Sequence, residues 1–447
     1  MVTKNELIER LNEIFPRVVA DLTELVAIPS VSAAAFDQST LERSAAYVAE
    51  LLGSVGLAAR VTDAGGRPAV LAERTVDGAP SVLLYAHHDV QPVGDISEWD
   101  QDDPFTAVER NGRLFGRGTS DDKAGVVVHA AALRLLPELP ATVRCFIEGE
   151  EEVGSPTFAH FLAENAAHLE ADTIVVLDSV NWKVGTPALT STLRGLAEAE
   201  VTVRVAEHAL HSGGYGGPIL DAPTLMSRLV ATLHDDDGRV AVAGLAEPTP
   251  TDVVYPEEDF RADSGVVPSY HLTGPIAERL WTAPAISLIG MDVPAVAQRS
   301  NTIQPVCRAY LSLRVPPSMD AADAYAALEA HLLANAPLGA EVTVVPGEQG
   351  PAFTTKDSAA KQLAKEALDA AWETDSVEVG TGGSIPFLAD FERQFPTAQI
   401  LVMGIEDPDS RAHSPNESMH LDELRRATLA EAILLAKLAG IYESSEG

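Results

Sequence analysis

The chain has 447 residues, 22% of them charged, and a formal net charge of −35. That length exceeds one ordinary core, so two domains are expected. So acidic a surface excludes nucleic acid and anionic membranes as natural partners.

Residues 1–30 read as an amphipathic helix of mixed charge rather than a secretory leader. No apolar run approaches the ~20 residues needed to span a bilayer. A soluble cytoplasmic protein is the expectation. Ser81 to Ala86 (SVLLYA) is a short continuous apolar run, Ala124 to Leu136 has helical character, and Thr142 to Glu148 and Thr173 to Asp178 (TIVVLD) are strand-like. Strands alternating with helices predict a mostly parallel sheet covered on both faces. From about Arg194 the texture changes. Ala199, Val201, Val203 and Val205 alternate with polar residues, a helix is expected over 221–233, and the Pro- and Asp-rich stretch 246–268 reads as a long loop. Strands at 285–291 and 307–315, a helix near 321–334 and a strand near 341–345 complete a β-α-β-β-α-β order, the ferredoxin-like pattern. After Thr355 the α/β texture returns, with a helix over 358–372, the buried strand QILVMG (Gln399 to Gly404) and a final helix over 421–442. Cys145 and Cys307 fall at strand positions without Cys-x-x-Cys spacing, so neither a disulfide framework nor a thiolate metal site is expected.

Metal-capable residues cluster just after the predicted strands. His87, His88 and Asp89 follow SVLLYA; Glu150, Glu151 and Glu152 follow TVRCFIEG; Asp178 ends TIVVLD; His413 follows QILVMG by a loop; Asp121 and Asp122 open a helix. In open α/β sheets, sites form beyond the carboxyl ends of the strands, where distant parts of the chain meet. Histidine and carboxylate donors suit zinc, manganese or cobalt better than calcium. Two such ions ~3.5–4 Å apart polarise a carbonyl and activate water, and a free carboxylate can then shuttle the proton to a leaving amine. Singly, each cluster has a plainer reading: Asp before a helix is a common cap, and EGEEE is an ordinary acidic loop. Their joint placement after strands carries the functional reading.

Six strings then match one family in order. YAHHDVQP resembles the His-x-Asp-Val-x-Pro motif of the M20 metallopeptidases, and GRGTSDDKAG resembles their Gly-Arg-Gly-x-x-Asp-x-Lys-Gly motif. EGEEEVGSP resembles their Glu-Glu segment, and LHSGGYGGP, GGSIPF and AHSPNE point to the carnosinase-like dipeptidases. The resemblance implies that His87 and Asp178 bind one metal, Glu152 and His413 a second, and Asp121 bridges both. The choice of Asp121 over Asp122 follows the family's Asp-x-Lys spacing. It further implies Glu151 as general base and Asp89 as the group orienting His87. His211 would stabilise the oxyanion, reaching into a partner subunit's site. Arg314 would take the substrate carboxylate, with Gly382, Gly383 and Ser384 adding contacts and Asn301 polarising the scissile carbonyl. Ala86 and Ala124 stand where the family often has Gly; both are small and leave the ligands in place. His88, His129 and His208 fall outside the matched positions.

The resemblance therefore implies an α/β zinc-peptidase-like catalytic domain in two segments, 1–193 and 353–447. Between them, 194–352 would form an inserted ferredoxin-like α+β lid and dimerisation domain. The implied activity is hydrolysis of dipeptides next to a free carboxylate with two divalent ions, zinc or else manganese or cobalt, in a homodimer. The alternatives are an N-acyl-amino-acid deacylase or carboxypeptidase of the same family, and a non-catalytic metal-binding homologue.

Overall fold

The computed structural model describes residues 1–63, 65–251, 253–383 and 386–443. The chain divides into two compact units: residues 1–191, 355–379 and 386–447 form the first, and 192–354 with 380–385 form the second.

The first unit is built on a mixed sheet. The strands Ser81–His87, Thr142–Glu148, Thr173–Val176 and Gln399–Met403 run parallel. Ala69–Arg74 and Ala58–Thr62 extend the sheet antiparallel at one side. The parallel strands are apolar almost throughout, as expected where both faces are covered by helices. One face packs on the helices Lys4–Val26, Lys123–Leu135 and Leu421–Leu438. The helix Lys4–Val26 starts with a capping box, the Thr3 hydroxyl accepting the Glu6 N–H at 3.3 Å and the Glu6 carboxylate accepting the Thr3 N–H at 2.8 Å. It buries Leu7, Leu11, Phe15, Val18, Leu22 and Leu25, a stripe at helical spacing. On the other face, Tyr85, Phe146, Phe158, Phe161, Phe387 and Phe391 form a chain of edge-on, tilted and stacked rings.

The second unit has four antiparallel strands in the order Ala285–Met291, Val306–Val315, Gly195–Arg204, Glu341–Gly350. The helices Ala222–Ala231 and Ala321–Ala334 cover one face, with Ala199, Val201, Val203, Leu311 and Leu313 beneath them. The stretch expected as a loop over 246–268 differs in one respect: it contains the helix Glu257–Ser264. Three acidic residues fill its first turn, where the helix dipole favours them, and Gly265 ends it in the left-handed region at φ 64. Proline density hid those end signals.

Candidate metal centre

Because four strands run parallel, their carboxyl ends lie along one edge of the sheet, and the acidic and histidine clusters leave from that edge. His87 is the last residue of its strand and is fully buried. Glu151 and Glu152 lie in a short 3-10 turn after Thr142–Glu148. Asp178 follows Thr173–Val176, and His413 sits in the loop beyond Gln399–Met403 with φ 62.

Asp121 joins these loops. Its Oδ1 lies 3.1 Å from His87 Nε2 and its Oδ2 lies 2.9 Å from His413 Nε2. His413 Nε2 is also 3.1 Å from Glu152 Oε2. Asp122 is placed differently. Its Oδ1 accepts the Gly125 N–H at 3.2 Å, capping the helix Lys123–Leu135, and its Oδ2 accepts the His87 N–H at 3.1 Å. Both its oxygens are therefore engaged by backbone. Gly125 is required here, because a Cβ would lie 2.8 Å from the Leu177 carbonyl.

Donor atoms of Asp121, Glu152 and His413 lie within 4.8 Å of one another, and so do those of His87, Asp122 and Asp178. The chemistry of this set fits divalent cations. Burial pushes the carboxyls of Asp178 and Glu152 up, to about 6 and about 7. Burial also drives Glu151 well above the usual carboxylate range, reinforced by Asp178, Glu152 and Asp89. Against burial, which would lower it, Asp121 and Asp89 hold His87 well above an ordinary imidazole. Asp121 and Glu152 push His413 up to about 11. So many buried acids around two imidazoles form a site that favours positive charge.

Glu151 has one carboxylate oxygen 4.0 Å from His87 Nε2. Asp89, fully buried, accepts the backbone N–H groups of Glu151 and Glu152 and lies 3.5 Å from His87 Nδ1. It thus anchors one histidine and the glutamate turn together. His88 points away, its Nε2 2.8 Å from the Pro68 carbonyl oxygen.

In the second unit, His211 pairs in register with Thr302, and the Asn301 carbonyl accepts the Ser212 N–H at 3.0 Å, so His211 and Asn301 are neighbours. The His211 Nδ1 accepts the Gly213 N–H at 3.1 Å, which leaves Nε2–H as the donor of the neutral ring. Arg314 is half-buried on Val306–Val315, opposite Leu196. Gly383 is exposed; Ser384 lies outside the described residues.

Two features are absent from the motif reading. Glu406 is buried beside the centre, its carboxyl driven up by burial and by Asp121, Glu417, Asp178 and Asp122. Arg194 is buried against Gly382, where a Cβ would meet its Nη2 at 2.6 Å. Neither falls in a matched string, and only folding brings them to these places.

A model of peptidase family M20/M25/M40 matches residues 83–437. The chain belongs to this M20 family. Within it, the chain is 32% identical to a cysteinylglycine-S-conjugate dipeptidase of Corynebacterium striatum, over 94% of this chain and 95% of that protein. It is 27% identical to a Cys-Gly metallodipeptidase of Schizosaccharomyces pombe, over 98% of each. The crystal structure of human carnosine dipeptidase 1 superposes with a TM-score of 0.77 at 24% identity, covering 98% of this chain and 99% of that one. As an M20 member the protein is a metallopeptidase of the dipeptidase branch, with the mixed α/β fold of that family. No described helix is long and apolar enough to cross a membrane.

Proposed function

We propose that this protein hydrolyses dipeptides of the cysteinylglycine type, free or S-conjugated, at a centre of two divalent ions. The observation that carries this reading is the Asp121 carboxylate, whose two oxygens face His87 and His413 separately. In this reading His87, Asp178 and Asp121 hold one ion, and Glu152, His413 and Asp121 the other. Zinc suits these nitrogen and carboxylate donors, with manganese and cobalt as substitutes. When bound, the ions supply Lewis acidity toward the scissile carbonyl and toward water.

The chain's own residues do the rest. Glu151 takes the proton of the attacking water on its free carboxylate and returns it to the leaving amine. Asp89 holds Glu151 in reach through the Glu151 N–H and orients the His87 ring. His211, with its Nε2–H free, donates to the oxyanion from a partner subunit, and Arg314 receives the substrate carboxylate with Gly383 and Ser384. Asn301, beside His211, polarises the carbonyl. The roles of His211, Gly383 and Ser384 rest on the matched strings, and those of Arg314 and Asn301 on the wider family resemblance. A homodimer through that unit is part of the reading. It is supported by Leu288 and Ile289, exposed on the edge strand Ala285–Met291. A cytoplasmic location goes with the two buried free cysteines.

The test is amine release by the metal-loaded protein from Cys-Gly, an S-substituted Cys-Gly, β-Ala-His and N-acetyl amino acids. Cleavage of the Cys-Gly compounds ahead of the others is expected. Cleavage of the N-acetyl compounds alone would move the protein to the deacylases.

A further inference from the structure

The loop that carries His413 is tied to the loop that carries Asp121 by a residue that reaches neither histidine. Glu417 is fully buried, four positions after His413. Its Oε1 accepts the Ser120 N–H at 3.0 Å, the Ser120 hydroxyl at 3.2 Å and the Asp121 N–H at 3.2 Å. Its Oε2 accepts Arg117 Nη1 at 2.5 Å, and its carbonyl accepts the Gly116 N–H at 2.9 Å. The Arg117 guanidinium, also buried, donates from Nη2 to the Pro92 carbonyl at 3.2 Å, three residues beyond Asp89. One carboxylate–guanidinium pair therefore links the segments bearing His87 and Asp89, Asp121, and His413.

We infer that Glu417 is a positioning residue that sets the separation of Asp121 and His413. The inference rests on the metal reading proposed above. Two ligands of one ion must be held to a fraction of an ångström, and here they come from loops almost three hundred residues apart in the chain. Backbone pairing alone does not do this, because His413 sits in an irregular loop at positive φ. A carboxylate is needed for the task. Four donors converge on its two oxygens, so the amide nitrogen of a glutamine would face either Arg117 or the backbone N–H groups. The loop has other anchors, Arg113 Nη2 to Asp407 Oδ2 at 2.9 Å and the Asp100 N–H to Asn416 Oδ1 at 2.8 Å. The Glu417→Gln chain therefore keeps its fold while the ligand spacing changes.

The experiment is titration of the chelated full chain with Co²⁺, followed by calorimetry and by the visible absorption of the bound ion, for wild type and Glu417→Gln. The far-UV circular dichroism should be unchanged, the second equivalent should bind about 10–100-fold more weakly, and its absorption band should shift. Wild-type affinity for both equivalents with an unchanged band overturns the inference. So does a lowered melting point of the metal-free variant with unaltered Co²⁺ binding, the result a merely structural role would give. Should Glu417→Gln not fold, Ser120→Ala decides: it removes one contact, and an affinity equal to wild type overturns the inference while a several-fold loss supports it. A wild-type chain that binds no Co²⁺ overturns the metal reading itself, and this inference with it.

Discussion

The Asp89 Oδ1 accepts the backbone N–H of Glu151 at 3.2 Å. The same carboxylate lies against the His87 ring, so the proposed base and a proposed ligand share one buried anchor. Asp89→Asn puts an amide nitrogen either against the Glu151 N–H and the His87 ring or against the Glu152 N–H. We predict a loss of about 10–100-fold in metal affinity or activity, as for other groups that orient metal ligands. Equilibrium dialysis of zinc against the variant checks it; wild-type affinity and rate would remove Asp89 from the machinery.

Glu151→Gln keeps the size of the side chain and leaves the Glu151 N–H bonded to Asp89, but cannot carry the proton. Activity should fall about 10²- to 10⁴-fold, the range of general acid–base contributions. Metal content should stay at the wild-type value, because Glu151 is outside the proposed ligand set. Steady-state rates and metal analysis on the same preparation separate the two effects.

Much of the centre was legible before folding. His87, Asp89, the EEE run, Asp178 and His413 all follow strand-like segments, and sites of parallel sheets form beyond strand ends. The choice between Asp121 and Asp122 was not legible from texture, since either can cap a helix. The structure gives the two residues different partners, Asp122 being engaged by the Gly125 and His87 N–H groups while one of its donor atoms also lies with those of His87 and Asp178. The pairing of Glu417 with Arg117 was invisible for a different reason, although the two residues lie in the matched strings AHSPNE and GRGTSDDKAG. Their pairing spans 300 residues of sequence and leaves no local pattern. The strands Ala58–Thr62 and Ala69–Arg74 were likewise unmarked, because they are short and pair antiparallel at the side of the sheet.

Metal removal should lower stability as well as activity. An ion that binds the folded chain only, present at 100 times its dissociation constant, adds about 2.7 kcal/mol. The chelated protein should therefore melt below the zinc-loaded protein, and zinc should restore the difference. Equal melting points would argue against tight binding by the folded chain.

His129 gives a pH test away from the centre. It lies on Lys123–Leu135, buried, with Nδ1 2.9 Å from both oxygens of Glu431 and Nε2 3.0 Å from the Tyr85 carbonyl oxygen. Burial alone would lower its pKa, but Glu431 and the Tyr85 carbonyl outweigh burial and raise it. Both ring nitrogens face acceptors, which is the arrangement of the imidazolium. A raised folded pKa means that the pair's stability is fully present below the unfolded value of about 6.5 and is lost as pH rises through the folded value. The melting-point gap between wild type and a His129→Leu, Glu431→Leu double variant should change in favour of the variant between pH 6 and pH 9. A gap independent of pH would contradict the charged pair.

The central claim is a centre that holds two ions and hydrolyses dipeptides with Glu151 as base. Its most direct test is Cys-Gly hydrolysis by the chelated chain as zinc is added in measured equivalents, for wild type and Glu151→Gln. The account predicts activity that rises to a plateau at two equivalents in wild type, and a variant that takes up two equivalents and stays all but inactive. A plateau reached without added metal, or an active Glu151→Gln, would contradict it.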